Sequence, residues 1–265
     1  MTLDAPLRAA LQKRGGHKYD HGHLLVIAGG PGQGGAARLA ARAGLRIGAG
    51  LVTLAPPAAA MGEHAGPPDA LMRSAVDTPE DLRAALQARR ISAIAIGPGC
   101  GVDRAARLLP TVLDSALPCL LDADALTALA AAPLPLRANL VLTPHRGEFA
   151  RLLPDLSALP DAQAATEAAR RSGAVVLLKG PETAIAAPDG ALRIHDGRDA
   201  PWLATAGSGD VLSGLIAGLL ARGIAPLDAA WAAAHIHAAA ARRFGPGLIA
   251  DDLIDQIPAI LRDLA

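Results

Sequence analysis

Six short apolar runs recur along the chain, at 24–28 (LLVIA), 51–55 (LVTLA), 93–96 (AIAI), 119–121 (CLL), 139–142 (NLVL) and 175–178 (VVLL). None sustains a polar–apolar alternation, so each predicts a strand buried on both faces, as in a parallel sheet covered by helices. Between them, helical patterns occupy 36–48, 80–90, 103–115, 124–130 and 161–171. Such alternation predicts βαβ units. After residue 178 the pattern changes. Residues 183–187 and 192–195, around the turn Pro188-Asp189-Gly190, predict a hairpin, and 210–222, 227–244 and 251–264 predict three consecutive helices. The expected class is α/β, with a central mostly parallel sheet, helices on both faces and a helical C-terminal third. No linker, composition step or internal repeat divides the chain, which predicts a single domain over 1–265.

The strand ends carry the candidate chemistry. The first is followed by Gly29-Gly30-Pro31-Gly32-Gln33-Gly34-Gly35, which formally matches the dinucleotide GxGxxG. That fingerprint also asks for an acidic residue about 20 positions on. Here the second strand ends in Ala55-Pro56-Pro57, and the first acidic residue after Gly35 is Glu63. An ordinary hydride-transfer Rossmann enzyme is therefore disfavoured, and a tight structural turn remains an alternative. Gly97-Pro98-Gly99-Cys100-Gly101 makes a second such turn. Ligands of open α/β sheets bind at these strand ends, so the two turns reinforce each other.

A third turn, Thr205-Ala206-Gly207-Ser208-Gly209-Asp210, opens an apolar helix. The amides of Gly207, Ser208 and Gly209 suit an anion, and Asp210 stands where a carboxylate held ionised by the helix dipole accepts a proton from an attacking hydroxyl. The competing reading makes Asp210 a helix cap. Lys179, one of three lysines in the chain, ends a buried strand and reads either as a phosphate contact or as a snorkelling side chain. Thr143 reads as an N-cap with Pro144 as the first helical residue, which aims His145 at the same sheet edge. Asp122 and Asp124 share a face if their strand persists and then suit a Mg²⁺–phosphate, although Asp124 also reads as a helix cap. His235 and His237 stand two apart on different helix faces and are not a metal pair.

Composition narrows the class. Lys+Arg and Asp+Glu are both 25, so the net charge is zero, and aromatics are 2%. That disfavours nucleic acid, through counterion release or base stacking, and anionic membranes. The two cysteines, Cys100 and Cys119, show no metal spacing. The N-terminal stretch is charged throughout, and no apolar run reaches a membrane span, so a cytoplasmic location is expected. No P-loop, GxSxG, HExxH or protein-kinase set occurs.

In order, the blocks LLVIAGG, GGAARLAARAGLRIGAGLVTLA, AIAIGPGCG, LDADAL, LTPHRGEFARLL, VVLLKGPET and LATAGSGDVLSGLIAGLLARG resemble the ADP/ATP-dependent NAD(P)H-hydrate dehydratase family, within the ribokinase-like fold. The resemblance covers nearly the whole chain. It implies repair of the S-hydrates of NADH and NADPH: phosphorylation of the ring hydroxyl with ADP or ATP, then loss of phosphate, with Mg²⁺ expected and its ligands unspecified. It further implies substrate contacts at Ala36, Gly99, His145 and Asp210, with Asp210 as the base. Nucleotide contacts would fall at Lys179, Gly180, Pro181, Glu182, Thr183 and Gly209. The family also implies a homo-oligomer, often a tetramer, working beside a separate epimerase, since no epimerase domain precedes Met1. Three departures stand out: AGSGD for the usual GGTGD, TPHRGE for TPHPGE, and HDGRDAPW where an NPTGN segment is usual. A small-molecule kinase of the same fold, acting on a vitamin-precursor alcohol such as hydroxyethylthiazole, and a nucleotide-binding module without turnover are the alternatives.

Overall fold

A computed structural model describes residues 3–265. Its nine strands form one sheet in the order β3-β2-β1-β4-β5-β6-β7-β8-β9. They are β1 (His23–Ile27), β2 (Leu51–Ala55), β3 (Met72–Arg73), β4 (Ala93–Ile96), β5 (Cys119–Leu121), β6 (Leu140–Leu142), β7 (Val175–Leu178), β8 (Glu182–Ala186) and β9 (Leu192–Asp196). Strands β1 to β7 pair in parallel, and β8 and β9 are added antiparallel as the hairpin. Strand order reverses between β1 and β4, and the two glycine turns that follow these strands flank the reversal.

Ten helices cover the sheet: α1 (Ala5–Leu11), α2 (Gly34–Arg46), α3 (Pro79–Ala88), α4 (Val102–Asp114), α5 (Ala123–Ala131), α6 (Arg146–Leu152), α7 (Asp161–Ser172), α8 (Ser208–Ala221), α9 (Pro226–Phe244) and α10 (Ala250–Asp263). Successive side chains of a strand point to opposite faces, and two cores result. Leu24, Val26, Val52 and Ala95 pack with α2, α8, α9 and α10, whereas Leu25, Ile27, Ile94 and Ile96 pack with α3 to α7. The apolar runs are buried throughout because both faces are covered.

Small residues bring α8 against α2. A Cβ on Gly214 would stand 2.1 Å from the Ala40 carbonyl oxygen, and one on Gly218 2.4 Å from Ile47 Cγ2. The close crossing fixes the N-terminus of α8 over the middle of the sheet. No helix among the described residues is long and apolar enough to cross a membrane.

Helix α1 and the two-residue β3 were not anticipated by the pattern, and α6 starts two residues later than Pro144. Short elements of this kind bury few side chains, so their periodicity is weak.

Candidate active site

The C-terminal ends of β4, β5, β6 and β7 and the N-terminus of α8 converge on one patch. Asp122, at the end of β5, is its hub. Its buried carboxylate receives Lys179 Nζ at 2.8 Å on Oδ1 and Ser213 Oγ at 2.6 Å on Oδ2. Oδ1 also accepts the Ala123 amide at 2.9 Å, which makes Asp122, and not Asp124, the N-cap of α5. Asp124 instead accepts the Gly101 amide at 2.8 Å and ties the second glycine turn to the site. The side chains of Asp122 and Asp124 therefore do different work. Gly97 lets the chain pass there, since its φ is +128° and a Cβ would meet the Asp122 carbonyl at 1.7 Å.

His145, not Thr143, caps α6. Its Nδ1 accepts the amides of Gly147 at 2.9 Å and Glu148 at 3.3 Å, and the Glu148 carboxylate accepts the His145 amide at 2.9 Å in return. This reciprocal box wins because an imidazole acceptor two or three residues ahead satisfies two amides, which a Thr143 cap cannot. With Nδ1 accepting, Nε2 is left as the donor of the half-exposed ring, 3.6 Å from Glu148 Oε1. Gly147 is required at its place, because a Cβ would stand 2.9 Å from the His145 ring. Arg146, where the family has proline, pairs with Asp161 and donates to the Leu159 carbonyl at 2.9 Å.

Helix α8 begins at Ser208, with Gly207 as its cap in the left-handed region at φ +84°. The first intrahelical bond runs from the Val211 amide to the Gly207 carbonyl at 3.1 Å. The Ser208 amide turns back to the Thr205 carbonyl at 3.3 Å, whereas the amides of Gly209 and Asp210 have no acceptor within the helix and point outward with the positive end of its dipole. Ser208 is buried, and its Oγ lies 3.1 Å from His237 Nε2, which also reaches the Ser208 carbonyl at 3.0 Å. A carbonyl only accepts, so Nε2 carries the proton. Burial pushes the His237 imidazole down to about 4.

Asp210 stands on this first turn, half-buried. Its carboxyl is pushed up to about 6, first by burial and then by the charges of Asp122 and Asp124, against the pull of Lys179. The expectation that the helix dipole holds it low is corrected: loss of water and two neighbouring carboxylates outweigh the dipole. A proton acceptor with its pKa near the working pH is the better base. No side-chain capping bond closes α8, so Asp210 is not the cap of this helix.

Gly180, Pro181 and Thr183 line a cavity of about 440 Å³, with His195, Pro201, Leu212 and Ala238 opposite. Lys179 turns away from that cavity toward Asp122 and the start of α8, where a Cβ on Gly209 would stand 3.7 Å from its Nζ. Glu182 is exposed and pairs with Arg198 at 3.1 Å, on the segment that replaces NPTGN. On the opposite side of α8, Gly99 at φ +58° approaches Ala36: its Cβ would lie 3.1 Å from that of Ala36. The sequence motifs thus fall into two groups, the cavity beside Gly180 to Thr183, which α8 reaches through Leu212, and the turns of Gly99 and Ala36.

A family model described as NAD(P)H-hydrate dehydratase matches residues 24–259. The chain belongs to the NAD(P)H-hydrate dehydratase family. It is 39% identical to the ADP-dependent (S)-NAD(P)H-hydrate dehydratase of Xanthomonas campestris, over 97% of this chain and 94% of that one. It is 41% identical to a bifunctional NAD(P)H-hydrate repair enzyme of Moorella thermoacetica, over 97% of this chain but 53% of that protein, so the chain spans about half the length of such relatives. Among solved structures, the ADP/ATP-dependent NAD(P)H-hydrate dehydratase of Bacillus subtilis, co-crystallised with ATP and Mg²⁺, matches with a TM-score of 0.84 at 30% identity, covering 98% of this chain and 96% of that one. A plant ribokinase matches at a TM-score of 0.59 and 12% identity, and a hydroxyethylthiazole kinase at 0.65 and 15%, likenesses of fold alone.

Within this dehydratase family the AGSGD departure is mild. Ala206 has no positive φ, so the glycine it replaces is not needed for the turn. Three residues were not singled out from sequence as site residues: Ser213, Glu148 and His237. A polar side chain inside an apolar helix run is the one signal by which Ser213 could have been found.

Proposed function

We propose that this chain is an ADP-dependent (S)-NAD(P)H-hydrate dehydratase, acting as one domain, in the cytoplasm and as a homo-oligomer, beside a separate epimerase that interconverts the hydrates. ADP should serve at least as well as ATP, as the name of the Xanthomonas relative suggests. The observation that carries the reading is the half-hidden Asp210 carboxylate, pushed up to about 6 at the amide end of α8. It stands on the helix that reaches a cavity of nucleotide size through Leu212.

In this reading Gly180, Pro181 and Thr183 hold the nucleoside end of ADP, and Lys179 and the Gly209 amide face its phosphates. His145 Nε2–H and the turns at Ala36 and Gly99 orient the hydrated nicotinamide ring. Asp210 accepts the proton of the ring hydroxyl as its oxygen attacks the terminal phosphorus of ADP, and AMP leaves. The amides of Gly207 and Gly209 face the charge that develops on the phosphoryl oxygens, while the Ser208 amide is held by the Thr205 carbonyl. The ring nitrogen's electron pair then expels phosphate, and the ring loses a proton to restore the dihydropyridine. Hydrate and ADP thus become NAD(P)H, AMP and phosphate.

Mg²⁺ fits this site as a companion of the nucleotide. No cluster of three or more metal-binding side chains exists among the described residues. Mg²⁺ is usually held by one or two carboxylates and by substrate phosphates, keeping its waters. Asp124, whose other oxygen accepts the Gly101 amide, would supply one carboxylate to it. When bound, the cation neutralises phosphate charge.

An absorbance assay tests the proposal. Purified protein with the S-hydrate, Mg²⁺ and ADP should regenerate the dihydropyridine band near ~340 nm, a property of the reduced cofactor itself. No rise with either nucleotide would overturn it.

A further inference from the structure

Helix α8 carries Asp210 without the support that most helix starts have. Its N-cap is Gly207, and no side chain closes it. A capping side chain would occupy the amides that a phosphoryl group has to reach. The turn must therefore be held in some other way.

Packing supplies part of the hold. A Cβ on Gly207 would stand 2.6 Å from Leu39 Cδ1 and 2.9 Å from the Ala250 Cβ, so α2 and α10 press on the cap. Polar support comes from α9, where His237 Nε2 lies 3.0 Å from the Ser208 carbonyl oxygen and 3.1 Å from its Oγ. His237 is buried and stands beside Ala234, Ala238 and Leu212, in an apolar stretch of the wall of the 440 Å³ cavity. A donor buried there needs a partner, and the Ser208 carbonyl is that partner. Helix carbonyls point away from the N-terminal amides, and each has two lone pairs. This bond therefore ties the turn down while leaving the helix ladder intact and the amides open.

The two histidines of α9 thus do different work. His235 packs edge-on against His195 and tilted on Trp231, with ring centroids 4.9 Å and 5.1 Å apart. His237, two residues further, reaches the turn that carries the base.

We infer that His237 is a positioning residue of the reaction: it holds the first turn of α8 by the Ser208 carbonyl, so that the Gly209 amide and the Asp210 carboxylate keep their aim at a nucleotide in the cavity. The inference rests on the proposed reaction for what that turn faces. Because the same ring lines the cavity, nucleotide and turn meet at one side chain.

Three replacements at position 237 test it. His237→Leu keeps much of the volume without a donor, His237→Asn carries a donor too short to reach Ser208, and His237→Gln restores one near the place of Nε2. Hydrogen exchange of the 204–212 peptide, without nucleotide, should run at least about tenfold faster in the Leu and Asn variants than in wild type. The Gln variant should match wild type, and the 102–114 peptide of α4 should exchange alike in all four proteins. With hydrate, Mg²⁺ and ADP, kcat should fall about ten- to a hundredfold in the Leu and Asn variants, because the reacting groups lose their alignment. The KM for the hydrate should move less than about threefold, and Gln should recover most of kcat.

Equal exchange of the 204–212 peptide in all four proteins would overturn the inference. So would faster exchange with kcat unchanged, or faster exchange over 102–114 as well, either of which makes His237 a residue of the fold alone. A wild type that turns over no hydrate overturns the proposed reaction instead, and ADP then decides for His237. It should slow exchange of the 204–212 peptide in wild type and His237→Gln but not in the Leu and Asn variants, and equal slowing in all four would overturn the inference.

Discussion

Lys179 Nζ and Asp122 Oδ1 stand 2.8 Å apart, two strands from each other in the sheet, and Ser213 closes the other oxygen of the same carboxylate. The pair joins β5, β7 and α8, the three elements that hold Asp210 in place. Because the lysine reaches a buried carboxylate, it is not a side chain snorkelling at the sheet rim.

Removing Lys179 alone strands a buried carboxylate, which is costlier than removing both charges. Lys179→Ala should lower Tm and raise the KM for ADP about ten- to a hundredfold, the loss of one charge-assisted hydrogen bond. Adding Asp122→Asn should recover much of the Tm while the KM stays high. Thermal melts and steady-state kinetics on the single and double variants check this. A double variant no more stable than Lys179→Ala would show that the two side chains do not depend on each other.

Asp210 should reveal itself through pH. Its carboxyl titrates at about 6, so kcat should climb roughly tenfold per pH unit below that value and level off above it. Asp210→Asn should cut turnover by about 10²–10⁴ with little change in substrate binding. Stability carries the opposite sign. A carboxyl whose folded pKa lies above its unfolded value favours folding below about pH 4 and loses that advantage as pH rises through about 6. The ionised group is therefore a burden at neutral pH, and Asp210→Asn should melt higher than wild type at pH 7.5 and alike at pH 4. A variant that melts lower and keeps its turnover would make Asp210 a structural residue.

His237 works in the reverse direction. Burial holds its imidazole down to about 4, below the value it takes unfolded. The neutral ring contributes stability that is present above about pH 6.5 and lost as pH falls toward 4. His237→Gln keeps a donor for the Ser208 carbonyl but cannot take a proton. Its Tm should be flatter than that of wild type between pH 6.5 and 4. His195, also pushed down to about 4, adds to the same acid loss and remains in the variant. An unchanged pH slope would place the sensitive group elsewhere.

The parallel sheet was readable because it is buried on both faces: runs such as LLVIA and VVLL have no solvent side to blur them. The glycine turns and Asp210 were readable because their chemistry is compressed into a few neighbouring residues. What stayed hidden depends on contacts across the sheet. Ser213 meets Asp122 over 91 residues of sequence and Lys179 meets it over 57. The His145 cap was hidden for another reason: Thr-Pro ahead of it is itself a good helix start, and only the reciprocal bonds of Glu148 decide between them. The direction of the Asp210 shift escaped because a dipole is local in sequence whereas burial is not.

Glycines of one chain can be kept for opposite reasons, and a pair of alanine variants separates them. A Cβ on Gly214 would stand 2.1 Å from the Ala40 backbone oxygen, so Gly214→Ala forces α8 away from α2. Overpacking costs about 1–3 kcal/mol, more when backbone and not a side chain must yield. At about 2–4 °C per kcal/mol for a chain of this size, Tm should fall by roughly 6–12 °C. Gly35, on the first turn of α2, has an ordinary φ and open space around it. Alanine there removes the glycine's entropic cost and should leave Tm unchanged or raised by a degree or two. If Gly35→Ala instead lowered Tm as much as Gly214→Ala, both glycines would be packing residues, and the turn after β1 would owe its shape to the fold alone.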